Sequence, residues 1–143
     1  MKRWEQSTTI NAPATTVYAY VSDFLRHGEW SGHGLTATKD GDGPTAVGST
    51  FSTIAKQFGT QREHSTITDM APGTTFAWDS VGGLGRVHHW FSLMEEGGAT
   101  HLKKGAEFLK PSFVAKVTSF RISKELPENL RKDLERIRTK LES

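Results

Sequence analysis

The spacing of apolar residues predicts a strand followed by a helix at the start of the chain. Residues 4–10 are rich in β-formers and run into Asn11-Ala12-Pro13, a typical helix start. Between Val17 and Phe24, apolar side chains recur at positions i, i+3, i+4 and i+7, which predicts an amphipathic helix ending near Asp23. A second short helix or turn is predicted over residues 25–30.

The middle of the chain has a different pattern. Short segments rich in Thr, Phe, Val and Trp fill residues 35–109, and clusters of turn residues separate them at 40–44, 71–74, 82–85 and 95–98. This spacing is too short for the crossovers of a parallel sheet. We therefore predict six strands in an antiparallel meander.

Helical spacing returns after Pro111 and continues to the end of the chain. Phe113, Val117 and Phe120 fall on one stripe, and apolar residues follow at helical spacing from Leu126 to Leu141, which predicts a long closing helix. Pro127 lies inside this pattern and predicts a kink or a restart near Leu126. Two positions of the stripe are expected in the core, namely Phe120 and Leu134.

Together these elements predict an α+β fold with helices on one side of a sheet. The expected architecture is a seven-stranded antiparallel curved sheet wrapped around a long C-terminal helix, with two short helices after the first strand. With 143 residues, the chain is expected to form a single domain spanning 1–143. One helix does not cover seven strands, so an internal cavity lined by inward-facing side chains is expected.

Composition removes several classes of chemistry. The absence of cysteine excludes disulfide frameworks, Cys-ligated zinc, iron–sulfur sites and thiol nucleophiles. Residues 40–43 begin like a calcium loop, but Phe51 stands where the bidentate Glu is needed, so no metal site is predicted. The turn at 82–85 lacks the third glycine and the following helix of a dinucleotide fingerprint.

Charge and hydropathy set expectations about partners. The net charge is only +2, and the last predicted helix mixes basic with acidic residues, so no nucleic-acid partner is expected. No stretch approaches about 18 uninterrupted apolar residues, so no membrane partner is expected. Residues 5–9 interrupt the place where a signal peptide would be apolar, and the expected location is the cytoplasm.

Element order and several short motifs resemble the START/Bet v1-like (SRPBCC) superfamily, specifically bacterial polyketide cyclase/dehydrase-like proteins. The motifs are Ile10-Asn11-Ala12-Pro13, Val17-Tyr18, Val21-Ser22-Asp23, Trp30, Ala71-Pro72-Gly73, Phe76-x-Trp78 and Phe91-x-Leu93, with the glycine turn at 95–100 and the helix terminus at 130–142. The resemblance implies a helix-grip fold enclosing a pocket for hydrophobic or aromatic small molecules. Its members are cyclases, carriers, ligand sensors or stress proteins, and it implies no universal catalytic residue.

The predicted cavity has a set of apolar candidates for ligand binding. They are Trp30, Phe51, Phe76, Trp78, Phe91, Phe113 and Val117. Such residues suit a planar apolar ligand through area burial and ring contacts. The competing interpretation is that each is an ordinary core residue.

His89 is the candidate catalytic residue. Strand alternation places it on one face with Val87, Phe91 and Leu93, and this apolar face is predicted to point inward. The opposite register, with Trp90 and His88 inward, stays open. A histidine beside a cavity can transfer protons near neutral pH, and the competing interpretation is a hydrogen-bonded structural residue.

Other polar residues are weaker candidates. Asp79, Glu107 and His64 are the possible proton-transfer partners of His89. His27 and His33 flank Trp30 and are interpreted as exposed loop histidines rather than groups that gate a pocket mouth.

Two functions of different class follow from these expectations. The first is a cyclase or dehydrase that folds a poly-β-ketone in the cavity without a cofactor. The second is a carrier or sensor that binds a small hydrophobic or aromatic ligand, and it is slightly favoured because no coupled titratable pair is placed on one face. A third is a protein-interaction domain of the co-chaperone type, which needs a large exposed apolar patch. A homodimer is one assembly considered.

Overall fold

A computed structural model describes residues 3–56 and 59–143. The seven strands are β1 (Arg3–Ile10), β2 (Thr36–Lys39), β3 (Thr50–Lys56), β4 (Thr60–Ala71), β5 (Thr75–Gly82), β6 (Gly85–Glu96) and β7 (Ala99–Pro111). The helices are α1 (Ala14–Val21), α2 (Gly28–Ser31), α3 (Phe113–Val117) and α4 (Ser119–Glu142), with a 3-10 turn at Phe24–Arg26. None of the described helices is long and apolar enough to cross a membrane.

The strands form one antiparallel sheet in the order β1-β7-β6-β5-β4-β3-β2. Successive strands from β2 to β7 pair with one another, and β1 pairs with β7 at the edge of the sheet. The predicted fold class is confirmed: the long C-terminal helix lies on the sheet, and the short helices follow β1. Alternation along each strand therefore decides which side chains face the helix.

The end of the chain differs from the prediction in where its helix is interrupted. The break falls at Thr118, whose hydroxyl donates to the Val114 carbonyl at 2.7 Å, and not near Leu126. Helix α4 continues through Pro127, which removes only one backbone donor from a helix of 24 residues. The predicted restart near Leu126 is wrong, and the alternative, a kink at that place, stays a prediction.

The buried stripe of α4 begins at Ile122 and continues through Leu130, Leu134 and Ile137. Leu134 is buried as predicted, but Phe120 is 83% exposed, and its predicted core position is wrong. Phe120 precedes Ile122 by two residues, about 200° around a helix, so the two side chains point in nearly opposite directions.

The core contains two clusters of buried side chains on the inner face of the sheet. The larger cluster combines α1, the 3-10 turn, α2 and the C-terminal half of α4 with aromatic residues of the sheet. The smaller cluster lies where β6 and β7 meet α3 and the first half of α4, around Phe108, Ala115 and Ile122. The candidate cavity is beside the larger cluster.

Candidate functional site

A cavity of about 110 Å³ lies between the inner face of the sheet, helix α2 and helix α4. Its walls contain more polar side chains than the sequence predicted. The lining residues are Phe24, His27, Trp30, Ser31, His33, Leu35, Thr53, Ala55, Glu63, Ser65, Trp78, Ser80, His89, Lys104 and Asp133.

Five of the predicted ligand-binding aromatic residues divide into two groups. Trp30 and Trp78 line the cavity. Phe51, Phe76 and Phe91 are completely buried and belong to the aromatic core behind the cavity wall. Phe91 meets Trp30 edge to face at a centroid distance of 5.5 Å, so this core holds the indole ring of the cavity in place.

The other two predicted ligand-binding residues lie away from the cavity. Phe113 is 78% exposed and Val117 is 63% exposed, and both face outward. Their expected place in the cavity is wrong because the inward position of α3 is occupied by Ala115, which is fully buried. Helical spacing identified residues that share a stripe but not the side of the helix that meets the sheet.

His89 faces inward beside buried Val87 and Phe91, as the favoured register predicted. Its ring stacks on Trp78, the residue directly opposite on β5, with centroids 5.1 Å apart and an angle of 13° between the planes. Burial and the nearby Lys104 ammonium hold the pKa of His89 well below its usual value. The imidazole is therefore neutral at neutral pH.

A line of hydrogen-bonding groups joins His89 to a carboxyl group of β4. His89 Nε2 is 3.0 Å from Ser80 Oγ, and the Ser80 hydroxyl also interacts with the nearby Glu63 carboxyl group. Burial raises the pKa of Glu63, and the Ser80 hydrogen bond only partly opposes this effect. When Glu63 is ionised, it can only accept, so Ser80 donates to Glu63 and accepts from His89. The arrangement places the three side chains next to one another along the cavity wall.

The three partners considered for His89 do not line the cavity. Asp79 points to the outer face, where its carboxylate accepts hydrogen bonds from Arg86 and lies 2.6 Å from His88 Nδ1. Glu107 is the β7 residue opposite His88, and the His64 side chain is 55% exposed beside Asp40. The carboxyl group that does reach the cavity is Glu63, one residue before His64 and therefore on the other face.

A buried ion pair forms the opposite wall. Lys104 Nζ lies 3.5 Å from Asp133 Oδ2, and both side chains are less than a tenth exposed. Burial lowers the pKa of Lys104 despite the attraction of Asp133, and burial raises the pKa of Asp133 to about 6. The Lys104 ammonium also lies 5.3 Å from the centre of the Trp30 ring.

Two buried polar atoms of α2 lack a partner in the part of the chain that the structure describes. They are Trp30 Nε1 and Ser31 Oγ, and both residues line the cavity. Buried polar groups are nearly always hydrogen-bonded, so such atoms beside a cavity indicate a place for a polar atom of another molecule.

His27 is a core residue, and its interpretation as an exposed loop histidine is wrong. It is 1% exposed, and its Nε2 donates to the Val21 carbonyl at 2.8 Å. Burial lowers the pKa of His27 to about 3, so the ring is neutral at neutral pH. His33 is partly exposed and lines the cavity.

Sequence reasoning missed the buried ion pair, although the sequence carries a signal for it. Lys104 alternates with Leu102 and Ala106 along β7, and Asp133 shares a helical stripe with Leu130 and Ile137. A charged residue on an apolar face is unusual unless it is paired. These two exceptions, one on the sheet and one on the helix, are the partners.

Comparison with known proteins agrees with this architecture. A family model described as polyketide cyclase / dehydrase and lipid transport matches residues 1–142. Among curated protein sequences, none matches this chain.

Solved structures with the same fold include three of different origin. The Zhui aromatase/cyclase from Streptomyces sp. R1128 has a TM-score of 0.80 and 14% identity, over 99% of this chain and 93% of that one. TTHA0849 from Thermus thermophilus has a TM-score of 0.78 and 14% identity, over 98% and 97%. Aha1 from Colwellia psychrerythraea, described as a dimer in solution, has a TM-score of 0.70 and 18% identity, over 99% and 97%. At these identities the likeness shows a shared fold.

The family match covers nearly the whole chain, and the helix on an antiparallel sheet is the architecture of the structural neighbours. Both findings confirm the START/Bet v1-like (SRPBCC) resemblance of the sequence and identify a ligand-binding domain of that superfamily. The chain therefore belongs to the polyketide cyclase / dehydrase and lipid transport family.

Proposed function

We propose that this protein binds a small molecule with an apolar ring and at least one oxygen atom in the cavity beside Trp30. The observation that carries the proposal is the pair of buried atoms without partners among the described residues, Trp30 Nε1 and Ser31 Oγ, next to two indole rings. An oxygen of the ligand would accept from the indole N–H, and its ring would pack against Trp30 and Trp78. Lys104 supplies a further donor on the same cavity.

The size of the cavity narrows the class of ligand. Sites for drug-sized molecules enclose about 300–1,000 Å³, whereas this cavity has about 110 Å³. A dry cavity of about 150 Å³ is known to hold benzene. This cavity is smaller than that one, so we expect ligands of at most one ring, such as a phenol, and we expect a tetracyclic ligand to be excluded unless α2 moves away from the sheet.

A calorimetric titration tests the proposal with phenol and toluene, which share a ring and differ in the hydroxyl group. Phenol should bind more tightly than toluene, because only phenol brings an oxygen to the unpartnered donor. Trp30→Phe keeps an aromatic ring and removes Nε1, so phenol affinity should fall about 2- to 10-fold, the value of one neutral hydrogen bond. Trp90→Phe is the matched control, because Trp90 bonds Glu5 outside the cavity.

Equal affinity for phenol and toluene, or a phenol affinity that Trp30→Phe leaves unchanged, would contradict the proposal. Mass spectrometry of the organic extract from the natively purified protein gives an independent result. A reproducible oxygen-bearing aromatic molecule in this extract would support the ligand class, and a reproducible molecule without oxygen would contradict it.

Proton transfer at His89 is a second candidate function, favoured by the line from His89 through Ser80 to Glu63. A neutral imidazole can accept a proton from an enolisable ketone at one ring nitrogen; the proton on Nε2 would then move to Ser80, and the Ser80 hydroxyl proton would move to ionised Glu63. On a confirmed substrate, His89→Asn should reduce kcat about 10²- to 10⁴-fold and change ligand affinity little. His101→Asn, at an exposed histidine, is the control. Turnover that is equal in both variants would leave His89 without a catalytic role.

A further inference from the structure

The two most exposed large apolar side chains of the described residues lie on α3 and the first turn of α4, together with two further exposed valines. Phe113, Val114, Val117 and Phe120 are 78%, 53%, 63% and 83% exposed, and we name them the outer stripe. Large apolar side chains that are solvated singly are normal, but a contiguous group of four marks an interaction surface.

The outward direction of the outer stripe is fixed by contacts on the other side of the helices. Ala115 and Ile122 are fully buried against the sheet. Ser112 accepts from the Ala115 amide at 3.1 Å, and its hydroxyl donates to the Gly83 carbonyl at 2.7 Å, which ties the start of α3 to the β5–β6 turn. Turning the outer stripe inward would break these contacts and expose Ile122.

Basic residues are interspersed with the outer stripe along the chain. Residues 108–124 contain Lys110, Lys116, Arg121 and Lys124 and no acidic residue. Among the described residues, the three lysines take part in no ion pair, and Arg121 pairs with Glu125 at 3.2 Å. The turn at 82–85, which touches the start of α3, also lacks acidic residues.

We propose that the outer stripe docks on the surface of a membrane that contains anionic lipids. Helices that lie in a membrane interface place Phe and aliphatic residues among the acyl chains and Lys or Arg among the headgroups. Each basic residue near an anionic surface adds attraction, and a flexible lysine extends its ammonium to the headgroups while its stem stays apolar. The proposal concerns contact with a surface and is independent of what the cavity binds. No membrane partner is expected from the sequence, because it contains no segment long and apolar enough to span a bilayer, and the proposal replaces that expectation with contact at the membrane surface.

Other occupants fit the outer stripe less well. A second copy joined through a two-fold axis would place the same basic segment against itself, which is repulsive. Protein interfaces are depleted in lysine, whereas three of the four basic residues beside the outer stripe are lysines. Nucleic acid would use the charge but leave two phenylalanines and two valines without an apolar environment.

The outer stripe and one side of the cavity lie at the same end of the sheet. Strand β7 ends at Pro111, directly before α3, and its antiparallel neighbours bring the end of β3 and the start of β4 to that edge. Ala55 and Glu63 line the cavity within a few residues of this edge. Docking through the outer stripe would turn this end of the cavity toward the lipid.

Vesicle co-sedimentation of the full chain tests the proposal. The two vesicle types are phosphatidylcholine alone and phosphatidylcholine mixed with phosphatidylglycerol. The apolar variant is Phe113→Ser with Phe120→Ser, and its control is Met94→Ser, which is 67% exposed near the opposite end of the sheet. The charge variant is Lys116→Gln with Lys124→Gln, and its control is Lys103→Gln, an exposed lysine on the outer face.

We expect binding to the mixed vesicles and much weaker binding to phosphatidylcholine alone. Each lysine removed should weaken binding about fivefold, and added salt should weaken it further. Each phenylalanine removed should weaken it about tenfold or more. The two controls should bind like the parent. Because every substituted side chain is exposed, the variants should retain the parent's thermal unfolding.

Hydrogen exchange of the unmodified protein gives a second measurement that needs no variant. Mixed vesicles should slow exchange of amides in residues 113–120. No binding to mixed vesicles, or binding that both variants leave unchanged, would overturn the proposal. So would a dimer dissolved by the apolar variant, or binding to duplex DNA without binding to vesicles.

Discussion

The free energy of unfolding should depend on pH through His27, because protonation of this buried imidazole is unfavourable in the folded protein. The ring is surrounded by Trp30, Phe76, Trp78 and other aromatic residues, with centroid distances of 4.7 Å to Trp30 and 5.0 Å to Trp78. Its pKa in the folded protein is about 3, and its ordinary value is 6.5. The perturbation is His27→Phe, which fills the site with a ring that does not titrate.

The sign follows from which state binds the proton. Above pH 6.5 both states carry neutral His27, and its full contribution to stability is present. Between pH 6.5 and about 3 the unfolded chain takes up a proton that the folded protein refuses, so stability falls as pH falls. The loss approaches about 1.4 kcal/mol per pH unit well below pH 6.5, and it amounts to about 2 kcal/mol between pH 6.5 and about 4.5 because the unfolded histidine is only half protonated at pH 6.5. His89 adds a loss in the same direction because its pKa is also lowered.

Urea unfolding at a series of pH values measures this slope. The free energy of unfolding of His27→Phe should fall less steeply below pH 6.5 than that of the parent, by about 1.4 kcal/mol per pH unit. Near pH 7 the variant should be less stable by about 1 kcal/mol, because the Val21 carbonyl loses its hydrogen bond from His27. His101→Gln, at an exposed position, should keep the slope of the parent. Equal slopes for the parent and His27→Phe would refute the argument.

Two further predictions concern the closing helix. Leu134→Ala should reduce the free energy of unfolding by about 2–5 kcal/mol, because Leu134 is buried. In the same denaturation experiment, Phe120→Ala should change it by less than about 0.5 kcal/mol, because Phe120 is exposed. Equal losses in the two variants would contradict this burial pattern. Asp133→Asn should lower the free energy of unfolding by about 3 kcal/mol at neutral pH, because the Lys104 ammonium is left buried without its partner. Part of this loss should be recovered as pH rises, because Lys104 becomes neutral. A loss that stays the same at high pH would show that the charge of Lys104 is not its cause.

The order and type of the elements follow from the sequence by itself. Period and turn chemistry are local properties, and they predicted seven strands, the short helices after β1 and the long closing helix. The inward register of His89 also followed from the sequence, because Val87, Phe91 and Leu93 make one face of β6 clearly apolar. Where the two faces of an element differ strongly in hydropathy, burial decides the register.

Elements with two similar faces needed the tertiary structure. On β4, Glu63 alternates with His64, and periodicity does not tell which one faces the cavity. The inward face is the one that includes Glu63, because β5 fixes the register by pairing Ile67 with Trp78. His27 was predicted to lie in an exposed loop for a similar reason. It is buried because the 3-10 turn before it packs onto the sheet, and these contacts join residues that are distant in sequence.

The closing helix shows the same division most clearly. Spacing correctly grouped Phe113, Val117 and Phe120 on one stripe, but the side that meets the sheet was decided by Ala115 and Ile122. The pairing of Lys104 with Asp133 joins a strand to a helix 29 positions later in the sequence, and only their packing across the cavity brings the charges within 3.5 Å. Local periodicity identifies which residues share a face, whereas contacts between distant segments decide what that face touches.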